Sequence, residues 1–133
     1  MHLMLAEIRE QPDRVEEVLA GAREAVSGLV RVVHDNDIRF VVIAARGTSD
    51  HAATYLKYLL EIVAGIPTAL AAPSVYTLYD AHLRLGNVLV IGISQSGQGA
   101  DIVQVLSSAR SAGGLSHTAA NSNCGSRNRS GWD

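Results

Sequence analysis

The segment Asn87–Ser94, NVLVIGIS, is the strongest strand signal in the sequence and decides the fold. It is short, apolar and rich in β-branched side chains, which is typical of a strand buried on both faces of a parallel sheet. The polar turn Gln95–Gly99 follows directly, and a helical pattern then runs from about Ala100 to Ala112. The pair Gly113-Gly114 is a helix stop. The sequence thus predicts a strand, a polar turn and a helix in succession.

A second strand, turn and helix precede this unit. The apolar run Ile38–Ala45 predicts a buried strand, and its exit is the turn Arg46–Asp50, RGTSD. The next helix is predicted to have Ser49 or Asp50 as its N-cap and to stop at Gly65. The predicted core-facing side of this helix consists of Tyr55, Leu59, Ile62 and Val63.

Three weaker signals complete the pattern. Apolar residues recur at helical spacing over Pro12–Val33, a shorter strand is predicted over Thr68–Ala72, and a helical turn over Val75–Tyr79. A helix followed by three strand–helix units predicts an α/β fold, a doubly wound parallel sheet of the flavodoxin-like kind. Residues 115–133 are rich in Ser, Asn, Arg and Gly and contain no apolar run. We therefore expect a sheet that is incomplete at the C-terminus, followed by a disordered or out-of-family tail over residues 115–133.

The composition fits one globular domain without a nucleic-acid or membrane partner. The 133 residues are 47% apolar, and eleven Lys and Arg against thirteen Asp and Glu give a net charge of -2. The longest apolar run, Phe40–Ala45, is too short to span a bilayer, and charges close to Met1 argue against a signal peptide. We expect a cytoplasmic location. Because Cys124 is the single cysteine and the histidines lack ligand spacing, we expect neither a metal nor a cofactor.

Two hydroxyl-rich turns carry the candidate chemistry. In an open parallel sheet, ligands bind beyond the carboxyl ends of the strands where the strand order reverses, and the first and third strands are expected to flank that point. Each turn also opens a helix, whose first N–H groups and positive dipole end favour an anion. Hydroxyl donors, with glycines that let the backbone approach closely, suit a phosphate monoester. The predicted phosphate-binding residues are Gly47, Thr48, Ser49, Ser94, Gln95, Ser96 and Gly97.

An alternative interpretation is that these residues are only helix caps and turn formers. Other anion motifs do not fit. Neither turn has the Gly-Lys-Ser/Thr of a P-loop, and Gly97–Gly99 lacks the third glycine of a dinucleotide fingerprint. The segment Gly92–Ser96 ends in serine where the esterase elbow needs glycine.

The two turns resemble the paired signature of sugar isomerase (SIS) domains, in Ser94–Gly97 (SQSG) after one strand and Gly47–Ala52 (GTSDHA) after another. The opening Met4–Pro12 resembles the lead-in to the isomerase domain of glutamine–fructose-6-phosphate aminotransferases and their glucosamine-6-phosphate deaminase relatives. Ala72–Thr77 is similar to the deaminase-like branch. The resemblance ends near Gly114, so residues 1–114 are interpreted as the N-terminal part of one SIS domain.

The resemblance also implies roles for individual residues. Gly99 stands where the family often has Thr or Ser, so one hydroxyl contact of the family is missing. The family's catalytic Glu, His and Lys lie further along than these 133 residues, so no residue is assigned a catalytic role. The residues that match the family's phosphate-holding positions are Ser49, Ser94, Gln95 and Ser96, with Thr48 beside them.

The resemblance implies binding of a small-molecule sugar phosphate. Our leading hypothesis is a fragment of an amino-sugar phosphate deaminase or isomerase that acts on glucosamine-6-phosphate or fructose-6-phosphate and is a homodimer at full length. A sugar-phosphate sensor of the kind fused to helix-turn-helix regulators is the alternative, although no basic DNA-binding segment precedes Pro12. A binding or oligomerisation module without turnover is the third hypothesis. We expect no turnover from these residues alone.

Overall fold

A computed structural model of the chain describes residues 2–97 and 99–120. The described chain divides into two compact units, one ending at Asp37 and the other beginning at Ile38. The elements are α1 (His2–Asp35), β1 (Phe40–Ala45), α2 (Ser49–Ile62), β2 (Thr68–Leu70), α3 (Ser74–Thr77), β3 (Val88–Ser94), α4 (Ala100–Ser111) and β4 (Leu115–Ala120).

The second unit is built on a parallel four-stranded sheet with the strand order β2-β1-β3-β4. From β1 the chain passes through α2 to β2 on one side, and then crosses to β3 on the other side of β1. The strand order therefore reverses between β1 and β3. This arrangement confirms the predicted α/β fold and the predicted position of the switch point.

Helix α4 and the sheet form the apolar core of this unit. The buried residues of α4 are Ile102, Val105, Leu106 and Ala109, and they join a cluster that includes Val90 of β3. Gly92 of β3 lies directly beneath this helix. A Cβ atom added to Gly92 would lie 2.8 Å from Cγ2 of Ile102 and 2.9 Å from Cδ1 of Leu106. Glycine at this position thus lets α4 approach the sheet closely.

Helix α2 has two apolar stripes, and the predicted core-facing side is the wrong one. Ala53 is fully buried, and Leu56 and Leu60 of the same stripe are half-buried. A small alanine at the contact lets the helix backbone approach the strands, so the larger side chains remain outside. The residues predicted to face the core are exposed: Tyr55 (68%), Leu59 (40%), Ile62 (75%) and Val63 (78%).

The C-terminal prediction needs a second correction. Residues 115–120 form strand β4, which pairs with β3 from Leu89 opposite Leu115 to Ser94 opposite Ala120. A disordered tail from residue 115 is therefore wrong for its first six residues. The physical reason is that β3 offers a backbone ladder, so a segment with weak strand propensity of its own can pair with it. The rest of the predicted tail, residues 121–133, lies outside the described residues.

The ends of two helices test the local predictions. The predicted glycine stop of α4 is confirmed: Gly113 has φ +80°, and the Gly114 N–H donates to the Ala109 carbonyl at 2.9 Å. Helix α1, by contrast, begins at His2 and contains Pro12, where a start was predicted. Within the described residues, no helix combines the length and apolar character that crossing a bilayer would require.

A polar clamp holds the outer edge of β2. Val41 N–H donates to the Pro67 carbonyl on the inner side of this strand, whereas Thr68 is held by side chains of α2. Glu61 accepts the Thr68 N–H at 3.1 Å, and Lys57 Nζ donates to the Thr68 carbonyl at 2.7 Å. The hydrogen bond from Lys57, followed by that from the Thr68 backbone, lowers the pKa of Glu61. The clamp occupies backbone groups that would otherwise be open to another strand.

Candidate functional site

The two predicted turns leave the same edge of the sheet from neighbouring strands. In the β1–β3 ladder, Ala45 lies opposite Ile93, so Arg46 and Ser94 are the next residues along each strand. Because the strands are parallel, the turns that follow them emerge at one carboxyl edge. The structure therefore brings the two hydroxyl-rich turns together, as the sequence predicted.

The first turn closes through backbone bonds. Gly47 adopts φ +61°, a left-handed conformation that favours glycine, and its carbonyl accepts the Asp50 N–H at 3.1 Å. Thr48 is the residue before α2 and already has helical torsion angles, φ -62° and ψ -30°. The predicted cap at Ser49 or Asp50 is therefore displaced by one or two residues. The Thr48 side chain makes no capping hydrogen bond, so capping does not explain a hydroxyl at this position.

The second turn closes through a side chain. The Ser94 Oγ accepts the Gly97 N–H at 3.2 Å, and Gly97 has φ +67°. Turn formation thus explains part of the chemistry of Ser94, although its O–H group remains a donor. Gln95 and Ser96 between them are exposed. The interpretation as cap and turn residues therefore explains part of the role of the Ser94 hydroxyl, whereas the Thr48 hydroxyl takes no part in capping.

Gly99 caps α4 without a side chain. Its φ of -58° is accessible to any residue, and an added Cβ would make ordinary contacts of 3.6 Å with Ile102 and 3.8 Å with Ser94 Oγ. The position therefore has room for a Cβ atom. The missing hydroxyl reflects the residue type and not a crowded backbone.

An ion pair connects the two turns. Arg46, directly after β1, donates to the carboxylate of Asp101 in the first turn of α4. The two residues are 55 positions apart, so no local sequence pattern could indicate the pair. Both side chains are substantially exposed, Arg46 by 64% and Asp101 by 41%.

Glu61 and His82 are not part of these turns. Glu61 belongs to the β2 clamp, and His82 lines a cavity of about 450 Å³ beside α3 and α4. A second, more apolar cavity of about 500 Å³ lies over Phe40, Leu70 and neighbouring residues. Neither cavity is lined by a residue of the two turns. The candidate site is thus identified by its chemistry and topology.

The chain resembles proteins of the phosphosugar isomerase type in both fold and sequence. The structure superimposes with a TM-score of 0.81 on a protein from Silicibacter pomeroyi assigned as a phosphosugar isomerase, at 40% identity over 87% of this chain and 36% of that chain. It also matches the C-terminal domain of glucosamine-fructose-6-phosphate aminotransferase from Francisella tularensis, with a TM-score of 0.56 and 28% identity over 64% of this chain and 24% of that chain.

The sequence comparison points to the same proteins. The chain is 37% identical over 119 residues to the isomerizing glutamine–fructose-6-phosphate aminotransferase of Symbiobacterium thermophilum, covering 84% of this chain and 19% of the relative. The chain therefore spans about a fifth of the length of the relatives it matches. No family model matches it. The comparisons confirm the resemblance to sugar isomerase proteins predicted from the sequence.

Proposed function

We propose that the two turns bind the phosphate group of a sugar phosphate. The observation that carries this proposal is the emergence of both turns at one carboxyl edge, from the two strands that flank the switch point. The hydroxyls of Thr48, Ser49, Ser94 and Ser96 supply donors. The N–H groups at the starts of α2 and α4 supply more, apart from those of Asp50 and His51, which donate to the Gly47 and Thr48 carbonyls. Gly47 and Gly97 keep the turn backbones accessible to a phosphate.

The proposed substrate is an amino-sugar or ketose phosphate, either glucosamine-6-phosphate or fructose-6-phosphate. Similarity to the aminotransferases supports this choice. In this proposal, contacts to the phosphate hold the sugar while chemistry takes place at its other end. The chain would then supply the phosphate-binding part of an amino-sugar phosphate isomerase or deaminase. The catalytic groups are not assigned to residues described here.

Partners and location follow from the same proposal. We propose a sugar phosphate as the small-molecule partner, a homodimer as the assembly at full length, and the cytoplasm as the compartment. Neither nucleic acid nor a membrane is proposed as a partner, because the net charge of -2 gives no general attraction to polyanions. A regulatory domain that senses sugar phosphate would use the same two turns, and an assay of ammonia release from glucosamine-6-phosphate by the full-length protein would separate it from an enzyme.

Substitution of Ser96 tests the binding role. A hydrogen bond to a charged phosphate is worth roughly 1.5–3 kcal/mol, so Ser96→Ala should weaken glucosamine-6-phosphate binding by roughly 10- to 150-fold. The matched control is Ser107→Ala, which removes an exposed serine hydroxyl from α4 away from the turns. Isothermal titration calorimetry measures both. An affinity for glucosamine-6-phosphate that Ser96→Ala leaves unchanged would refute the role of Ser96.

A further inference from the structure

The acidic residues at the two turns present an electrostatic problem for phosphate binding. Asp50 is the second residue of α2 and Asp101 is the second residue of α4. Both are placed well for the positive end of their own helix dipole. Each is also a negative charge close to the N–H groups that the proposed function assigns to a dianion, and like charges at such range repel.

Arg46 forms an ion pair with one of these two carboxylates, that of Asp101. Its guanidinium donates to Asp101, and this contact joins the end of β1 to the beginning of α4 across the site. Because Arg46 is the first residue of the turn after β1, and Asp101 is the second residue of the helix that follows the other turn, the pair links the two turns. An exposed ion pair contributes little to stability. A role in folding alone therefore does not explain its position.

We propose that Arg46 is a positioning residue that neutralises Asp101, so that the turn before α4 can accept a phosphate dianion. In this role the arginine acts through Asp101 and makes no direct contact with the phosphate. The inference rests on the proposed function. It adds a specificity element, because the benefit of neutralising Asp101 increases with the negative charge on the ligand.

The pair can be tested with a mutant cycle in the full 133-residue chain. The variants are Arg46→Met, Asp101→Asn and the double variant Arg46→Met/Asp101→Asn. The control is Arg46→Met/Asp50→Asn, which removes the carboxylate at the equivalent position of the other helix. Arg46→Lys keeps the positive charge and loses the planar fork that a direct bidentate contact would use. Thermal unfolding of every variant shows whether it is folded.

Calorimetric titration with glucosamine-6-phosphate and with glucosamine-6-sulfate gives the readout. We expect Arg46→Met to weaken binding of the phosphate roughly tenfold and of the singly charged sulfate only about threefold. The double variant Arg46→Met/Asp101→Asn should return to within about twofold of wild type, and Arg46→Lys to within about threefold. The control double variant should behave additively: Asp50→Asn should change the affinity by the same factor in the Arg46→Met background as in wild type, because the partner of Arg46 is Asp101.

Several results would overturn the inference. If Arg46→Met/Asp101→Asn binds as weakly as Arg46→Met, the arginine contacts the phosphate itself. If Arg46→Met binds as wild type does, the ion pair has no role in binding. Either result leaves the proposed function standing, because the wild-type chain still binds the sugar phosphate. Absence of binding by the wild-type chain would instead overturn the proposed function and this inference together.

Discussion

The turn after β1 and the turn after β3 both convert a buried strand into a helix, but they are closed by different groups. In the first turn, the Gly47 carbonyl accepts a backbone N–H, and the Thr48 hydroxyl takes no part in capping. In the second turn, the Ser94 hydroxyl oxygen accepts the Gly97 N–H. Similar residue types therefore carry different structural duties. A hydroxyl in such a turn can serve the turn, a ligand, or both, and only the hydrogen bonds separate these cases.

The two strands that precede these turns also differ, in how closely α4 packs on them. Ala44 of β1 and Gly92 of β3 are partners in the ladder. Ala44 is buried in the cluster around α4 with its Cβ in place, whereas a Cβ added to Gly92 would lie 2.8 Å from Ile102 and 2.9 Å from Leu106. Gly92→Ala should therefore lower the free energy of unfolding by about 1–3 kcal/mol through overpacking against Ile102 and Leu106. Urea denaturation followed by circular dichroism measures this change. Gly86→Ala is the matched control, because an added Cβ there has no atom within 4 Å. Equal stability of the two variants would contradict the packing argument.

The next largest expected effect is a difference in stability between variants that lack the Ser94 hydroxyl and variants that lack the Thr48 hydroxyl. Ser94→Ala removes the acceptor of the Gly97 N–H and should cost about 0.5–1.5 kcal/mol of stability. Thr48→Ala removes an exposed side chain without a capping bond and should stay within about 0.5 kcal/mol of wild type. Both should weaken binding of a sugar phosphate. Parallel unfolding and binding curves provide the comparison, and a Thr48→Ala variant as destabilised as Ser94→Ala would remove the distinction.

The smallest expected effect concerns the clamp on β2, beside the helix that follows the first turn. The lowered pKa of Glu61 means that its contribution to stability is present above the ordinary value of 4.5 and is lost as the pH falls through the lower folded-state pKa. Glu61→Gln should therefore show less loss of stability on acidification below about pH 4.5. Thermal unfolding at several pH values tests this. Identical acid sensitivity of the variant and wild type would mean that Glu61 does not titrate with unfolding.

Much of the sheet could be predicted because its central strands carry their own signal. β1 and β3 are continuous apolar segments between turn residues, and such segments have few other ways to bury their side chains. β4 lacks that signal. It is a strand because its backbone pairs with the edge of β3. The large apolar side chains of α2 predict a contact face around Tyr55, whereas the close approach of helix and sheet selects the stripe containing Ala53.

Part of the candidate site could also be predicted, because the positions of its two strands in the sheet could be predicted. Each turn follows a strand whose place in the sheet could be inferred, so their convergence followed from topology. The bonds within the turns depend on torsion angles that the residue types leave open, as the displaced cap at Thr48 shows. The Arg46–Asp101 pair joins residues 55 positions apart and depends on the register between β1 and β3. A pair of residues so far apart in the sequence can be recognised only when the three-dimensional structure is known.

The central claim is that the two turns form one phosphate site, and an amide chemical-shift titration tests it most directly. The ¹⁵N–¹H resonances of the isotopically labelled chain are followed while glucosamine-6-phosphate is added, with glucosamine as the control. We predict that the amides of Thr48 and Ser49 and those of Gln95 to Gly97 shift together with one dissociation constant, and that glucosamine leaves them unchanged. Shifts confined to one turn, or different dissociation constants for the two, would contradict a shared site.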